Sequence, residues 1–267
     1  MQDKTIVAFL DILGYDSLVT RMITDVDFIK RFEELTNGII KFKEDLINSE
    51  RPDLSNEDKR YLEKVASSIS IRYIYDNFIF SLPLSDIVLD SSSFDKNATV
   101  LNCIETFFSL IAMSATFFIA KMGYVFRGGI SVGTHYEAER EHCLFIFSEA
   151  HNKAVDLERQ AKDARILLDD NLGSQLEKMG FTQMKKFFYK DDDGRLCFDI
   201  YSLLPTLRNP QDVLSDIKEG VTLNIESNST DEERLPKLIY FAKYHNRKVG
   251  KNGMNFPQLS ININDFG

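Results

Sequence analysis

Near its start the chain carries an apolar run, residues 5–12 (TIVAFLDI), interrupted only by Asp11. A short, mostly apolar stretch of this kind predicts a buried strand. Leu13, Gly14, Tyr15 and Asp16 read as a turn, with Asp16 or Ser17 placed to cap a helix. Apolar positions then recur at helical spacing through Phe28, Phe32, Leu35, Ile39 and Ile40 to about Ile47. Residues 49–58 are polar and contain Pro52, which predicts a loop before a short helical stretch to about Val65. Two β-rich runs, 68–75 and 78–82, meet at Asp76-Asn77, a pair suited to a tight hairpin turn. A polar loop follows over 85–97, and then a long buried helix over 98–122. Residues 124–133 (YVFRGGISVG) predict a strand whose glycines mark a close backbone approach or a kink. Short strands are expected at 143–147 and 165–168, helices at 148–161 and 171–179, and a hairpin of 187–190 with 196–201. From about Asn209 the pattern predicts helices joined by polar loops. Hairpins mixed with alternating strands and helices imply an α+β fold, a sheet with helices packed on it.

Composition narrows the partners more than the fold. The 267 residues suffice for one large domain, or a domain with a tail, and 43% hydrophobic with 27% charged residues is ordinary for a globular chain. A net charge of −9 argues against non-specific binding to nucleic acid or to anionic membranes. It leaves room for a nucleotide held by a local basic pocket and metal ions. Cys103, Cys143 and Cys197 are odd in number and widely spaced, which fits reduced thiols and a cytoplasmic location. The first residues lead straight into the strand pattern, so no signal peptide is expected. Residues 106–120 carry no charge, but 15 residues fall short of the roughly 20 that a spanning helix needs. A helix buried against the sheet is expected there.

Candidate chemistry begins with two acids. Asp11 ends a buried strand and shares a face with Val7 and Phe9. Asp76 sits at a hairpin tip. Two carboxylates on neighbouring strands can hold Mg2+ or Mn2+, which prefer oxygen ligands, or each can simply cap a turn. Arg72, four residues before Asp76, is placed either to read a base edge or to pair with an acid across the sheet. Arg127 lies in an apolar strand beside two glycines and needs a phosphate or a carboxylate partner. Asn152 lies on the 148–161 helix, where a lone Asn is usually solvated. His135, just after the glycine strand, reads as structural. Phosphate-loop, dinucleotide-binding and nucleophile-elbow patterns are absent.

The order of these signals resembles the catalytic domain of class III nucleotidyl cyclases. FLDILGY (9–15) is similar to the family's Asp-Ile-x-Gly-Phe motif, and Tyr75-Asp76 to its second metal aspartate. FRGGISVG (126–133) resembles its Arg-x-Gly-x-x-x-Gly strand, and SEAHNKAVDL (148–157) its Gly-x-x-Val-Asn-x-Ala helix. The resemblance covers about residues 5–201. It implies a ferredoxin-type βαββαβ core sheet with helices packed on it. A catalytic domain would span residues 1–208, with 209–267 a helical extension packed on it. It implies two divalent metal ions, Mn2+ or Mg2+, on Asp11, Asp76 and the Ile12 carbonyl. Backbone amides of Leu13, Gly14 and Tyr15 would cradle the phosphates. Arg127 would touch the triphosphate and Asn152 would orient the ribose. Arg72 and Phe145 fall where adenylate-specific members keep their base-reading Lys and acid. Departures are Asp156 at the family's transition-state arginine, a role that Arg159 or Arg165 could take, and Ser148 at a glycine.

The chain looks most like the small stand-alone pyrimidine cyclases of bacterial Pycsar antiphage systems. That likeness implies conversion of UTP to 3′,5′-cyclic UMP and pyrophosphate, with the product acting on a separate effector. It implies a homodimer whose active sites are shared between chains. A cytidylate cyclase acting on CTP, a purine cyclase, and an inactive nucleotide-sensing domain are the alternatives.

Overall fold

Strand β1 (Lys4–Ile12) lies between β3 (Asn77–Pro83) and β4 (Phe126–Arg140), antiparallel to both. Ile6, Ala8, Leu10 and Ile12 enter the main core, while Val7 and Phe9 pack on the other face with Ile79, Ala150 and Ala154. Burial on both faces explains why this strand reads as a continuous apolar run rather than an alternating one. The computed structural model describes residues 4–48, 63, 67–84, 96–141, 143–250 and 253–264. The loop expected at 49–58, residues 85–95 of the loop expected at 85–97, and most of the helical stretch to Val65 lie outside the described residues.

The described elements run β1, α1 (Tyr15–Thr24), α2 (Val26–Asn48), β2 (Ser70–Ile74), β3, α3 (Lys96–Met122), β4 and β5 (Cys143–Ser148). They continue as α4 (Glu149–Ala161), β6 (Ile166–Leu168), α5 (Asp170–Lys178), α6 (Met184–Phe187), β7 (Phe188–Lys190) and β8 (Leu196–Phe198). Two long helices follow, α7 (Pro210–Ser227) and α8 (Arg234–Val249). The sheet order is β2-β3-β1-β4-β6-β8-β7, with β5 folded back on β4. Its first four strands, with α1–α2 and α3 as crossovers, make the βαββαβ ferredoxin-type arrangement in an α+β fold. β6 joins β4 in parallel and extends the sheet.

Helix α3 is apolar on all sides, and Phe107, Phe108, Ile111 and Phe118 are fully buried. Val100–Met122 is long and apolar enough to cross a membrane by length and composition, but 89% of its apolar window is buried inside the fold. Side chains of α7 (Leu214, Ile217, Val221, Ile225) and α8 (Leu238, Phe241, Tyr244) belong to the same core as β1 and α3. Asn224 donates to the Gly123 carbonyl at 3.0 Å, fixing α7 against the end of α3.

Two expectations need correction. The helical pattern from Asp16 to Ile47 is two helices, because Asp25 takes an extended conformation and its Oδ1 accepts from the amides of Asp27 and Phe28. An aspartate accepting from the first amides starts a new helix, and hydrophobic periodicity does not see it. Strand β4 runs on to Arg140 rather than ending at Gly133. Its second half is only half-buried and pairs with β5 as a protruding hairpin, so it lacks the apolar signal of its first half.

Candidate active site

The site is built where β1 ends. Asp11 lies opposite Asn77 on β3 and Arg127 on β4, and shares the α4-covered face with Val7 and Phe9. The Ile12 amide donates to the Asp76 carbonyl at 2.8 Å, pinning the β2–β3 turn against the end of β1. Tyr75 makes that turn with φ 54°, in the left-handed region. A non-glycine residue there costs on the order of 1–3 kcal/mol and persists only where its surroundings hold it. The turn thus delivers the Asp76 carboxylate into hydrogen-bonding reach of Asp11. Asn77 Nδ2 donates to Asp76 Oδ1 at 2.6 Å.

A third acid arrives from α4. Ser148 caps this helix by accepting from the His151 amide at 2.8 Å. Its buried stripe is Ala150, Ala154, Glu158 and Ala161. A Cβ on Gly129 would sit 2.3 Å from the Ala154 carbonyl oxygen, so only glycine lets α4 lie this close to β4. That approach brings Glu158, 5% exposed, down to the sheet. Arg127 Nη2 pairs with Glu158 Oε1 and lies 3.5 Å from Asp11 Oδ2, while its buried Nε has no hydrogen-bond partner among the described residues.

The balance is three carboxylates to one guanidinium. Burial, then the charges of Glu158 and Asp76, push Asp11 up to about 7 against the pull of Arg127. Glu158 was missed by sequence reasoning. Its signal was a charged residue continuing the Ala150–Ala154 stripe at i+4.

Gly14, at φ 87°, caps α1 without a side-chain hydrogen bond. Among the described residues the Gly14 and Tyr15 amides find no protein acceptor, and they form the positive end of a helix. Leu13 was expected to offer its amide with them, but that amide donates to the Val125 carbonyl at 2.9 Å. The strand pairing of β1 with β4 runs one residue further than the motif suggests. Arg234, first residue of α8, brings Nη1 within 4.0 Å of the Cβ position at Gly14, and its Nη2 lies 3.8 Å from Asp16 Oδ2. No local pattern in the sequence marks Arg234, because its neighbour in space lies 220 positions earlier in the chain.

Asp11, Asp76 and Arg127 therefore converge with the Ile12–Tyr15 turn. The remaining expected residues stand elsewhere. Arg72 donates to Glu137 Oε1 at 2.7 Å and Glu139 Oε2 at 3.2 Å, on the protruding part of β4. His135, Arg72 and Ser70 together hold Glu137 down to about 2. Phe145 is 43% exposed on β5, and Asn152 and Asp156 lie on the exposed face of α4. Arg165 is committed to Asp191 at 2.6 Å and Asp193 at 2.7 Å, whereas Arg159 is exposed beside Asp156. Among the described residues, no group of three or more His, Cys, Asp or Glu side chains is set to hold a metal ion. Hollows of about 220 and 260 Å³ lie beside α3, and neither is lined by Asp11, Asp76 or Arg127.

No family model matches the sequence, and no curated protein matches it. Among solved structures the chain is similar to the guanylate cyclase domain of RhGC from Catenaria anguillulae in complex with GTP. The identity is 14% over 73% of this chain and 93% of that chain, with a TM-score of 0.36. It is similar to the adenylyl cyclase CyaB from P. aeruginosa at 15% identity, over 66% of this chain and 81% of that chain, with a TM-score of 0.34. A bacterial light-regulated adenylyl cyclase is similar at 12% identity, over 81% of this chain and 97% of that chain, with a TM-score of 0.33.

Proposed function

We propose that the protein is a nucleotidyl cyclase that converts UTP to 3′,5′-cyclic UMP and pyrophosphate as an antiphage signal, in the cytoplasm and as a homodimer. The observation that carries the cyclase reading is the meeting of Asp11 and Asp76 beside a helix N-terminus with open amides. The pyrimidine preference and the signalling role rest on the sequence resemblance alone, and CTP is the second candidate substrate.

The residues fit a divalent cation. Crowded acids with Asp11 pushed up to about 7 bind protons in place of the positive charge they lack. Asp11, Asp76 and the Ile12 carbonyl would hold two Mn2+ or Mg2+ ions, with substrate oxygens completing the shells. Metal ions held by these residues would supply acidification of the ribose 3′-hydroxyl and neutralisation of phosphate charge. The chain's own groups do the rest. The Gly14 and Tyr15 amides receive phosphate oxygens, and Arg234 adds a cation beside them. Arg127, held by Glu158, faces the same end of the sheet and has an unpartnered Nε to offer. In-line attack of the 3′-oxygen on the α-phosphorus then needs little more than positioning and charge stabilisation.

Asn152, Phe145 and Arg72 would serve the site of a second copy. Tyr136 (50% exposed), Phe147 (69%) and Phe145 on the β4–β5 hairpin supply apolar surface that a partner would cover. Incubation with Mn2+ and ATP, GTP, CTP or UTP, with products resolved by mass, tests the proposal. Cyclic product from UTP is expected. Product from CTP alone or from a purine corrects the base, and no product from any triphosphate overturns the activity. Sedimentation of the purified protein as a monomer at assay concentration would overturn the shared sites.

A further inference from the structure

The turn that carries Asp76 holds a residue that its geometry does not ask for. Ile74 pairs with Asn77 across β2 and β3, so Tyr75 and Asp76 are the two residues of the hairpin turn. Turns this short need a left-handed residue, and Gly, Asn or Asp ordinarily supplies it. Here Tyr75 takes φ 54° instead. A bulky side chain in that region is strained. Packing does not compensate. Tyr75 is 78% exposed, and among the described residues its ring faces no other ring and its hydroxyl makes no hydrogen bond. Tyr73, two positions earlier on β2, is the contrast: its ring centroid lies 4.7 Å from that of Phe78 and 5.4 Å from that of Phe32.

Backbone strain of this kind clusters at active sites and ligand clamps. The residue after Tyr75 is Asp76, whose carboxylate is in hydrogen-bonding reach of Asp11. The Ile12 amide donates to the Asp76 carbonyl, so the turn is fixed to the strand end that leads into the Gly14 and Tyr15 amides. The exposed ring is therefore anchored beside the acids and the anion-receiving turn. Acids with metal ions hold phosphate, and so do amides, but neither holds a nucleobase. An aromatic face does, because every base has a π-face to lay on it.

We propose that Tyr75 is a stacking platform for the base of a nucleoside triphosphate bound at Asp11 and Asp76, an inference that rests on the nucleotidyl cyclase reading. Stacking tolerates any base, so Tyr75 supplies affinity and orientation and does not choose between UTP and CTP.

Tyr75→Asn and Tyr75→Phe test it. Asn accepts a left-handed turn, so Tyr75→Asn folds and its melting temperature holds or rises. Its KM for UTP rises about tenfold, as loss of one base stack requires, while inhibition by inorganic triphosphate matches the natural protein. Tyr75→Phe keeps the natural KM. A second readout needs no turnover. With 3′-deoxy-UTP and Mg2+, the uracil H5 and H6 NMR signals move upfield on binding the natural protein and stay in place with Tyr75→Asn. An unchanged KM, or the same upfield shift, in Tyr75→Asn overturns the stack. A lower melting temperature in Tyr75→Asn also overturns it and makes the ring part of the fold. A changed sedimentation coefficient overturns it too, and assigns the ring to contact with a second copy. Absence of cyclic product, with the upfield shift present in the natural protein and lost in Tyr75→Asn, ends the cyclase reading and leaves the stack standing.

Discussion

Two regions of this molecule bury acids, and they treat them in opposite ways. Beside α8, Asp191 accepts from Arg165 Nη1 at 2.6 Å and from the Tyr240 hydroxyl. Asp199 accepts from the Tyr244 hydroxyl at 2.6 Å and from Lys248. Burial alone would raise Asp191, but Tyr240 and Arg165 outweigh it and hold its carboxyl below the usual range. His245, fully buried between the Tyr201 hydroxyl and the Leu259 carbonyl, is pushed down to about 4 by burial and stays neutral. Every charge there has an opposite. At the end of β1, Asp11 and Glu158 share the guanidinium of Arg127, Asp76 adds a third carboxylate beside Asp11, and Asp11 is driven up to about 7. A balanced network holds α8 onto the domain, whereas the unbalanced one leaves the end of β1 short of positive charge, which under the proposed function a metal ion would supply. The difference separates architecture from chemistry without appeal to the fold's name.

The sharpest way to break that contrast is Asp76→Ala. Turnover of the triphosphate with Mn2+ should fall about a hundred- to a thousandfold, the range seen when a principal electrostatic group of an active site is removed. Melting temperature should hold or rise, since one repelling charge is gone. Unchanged turnover would end the functional assignment of the β1 site.

The counterpart in the balanced region is Arg165→Met. It strands Asp191 and Asp193, so urea unfolding should show a loss of about 3–5 kcal/mol, as for breaking a buried pair by removing one partner. A loss below about 1 kcal/mol, the ceiling for an exposed pair, would show that these contacts hold nothing.

The smallest effect concerns pH. The folded state keeps the Asp11 proton up to about pH 7, while an ordinary aspartate releases it near 3.8. Between those values the folded state binds more protons, so this group's contribution is full below about pH 4 and is lost as pH rises towards 7. Asp11→Asn should flatten that slope and raise the melting temperature at pH 8 by about 2–4 °C, equivalent to about 1 kcal/mol in a chain of this size. Identical pH profiles for the two proteins would remove the unbalanced charge from the account.

Much of the β1 site was legible in the sequence because its signals are local. Asp11 breaks an apolar run, Asp76 sits between two β-rich runs, and Arg127 interrupts another apolar strand. Glu158 was half legible, as a charge on an alanine stripe whose burial depends on Gly129 admitting α4. Arg234 and the network of Asp191, Asp199 and α8 were not legible at all. Nothing near residue 191 or 199 indicates a partner some 45 to 49 positions later, and the chain beyond Asn209 showed only helical spacing.

Most strands and helices, the burial of α3 and the positions of the two aspartates follow from the sequence, because periodicity and turn chemistry act over a few residues; the break at Asp25 and the extension of β4 to Arg140 do not. Tertiary structure decided how those acids are balanced. Charge balance is set by which side chains packing brings within a few ångströms, and here those come from β1, the β2–β3 turn, β4 and α4. The same packing tied the Leu13 amide to Val125 and placed Arg234 beside Gly14.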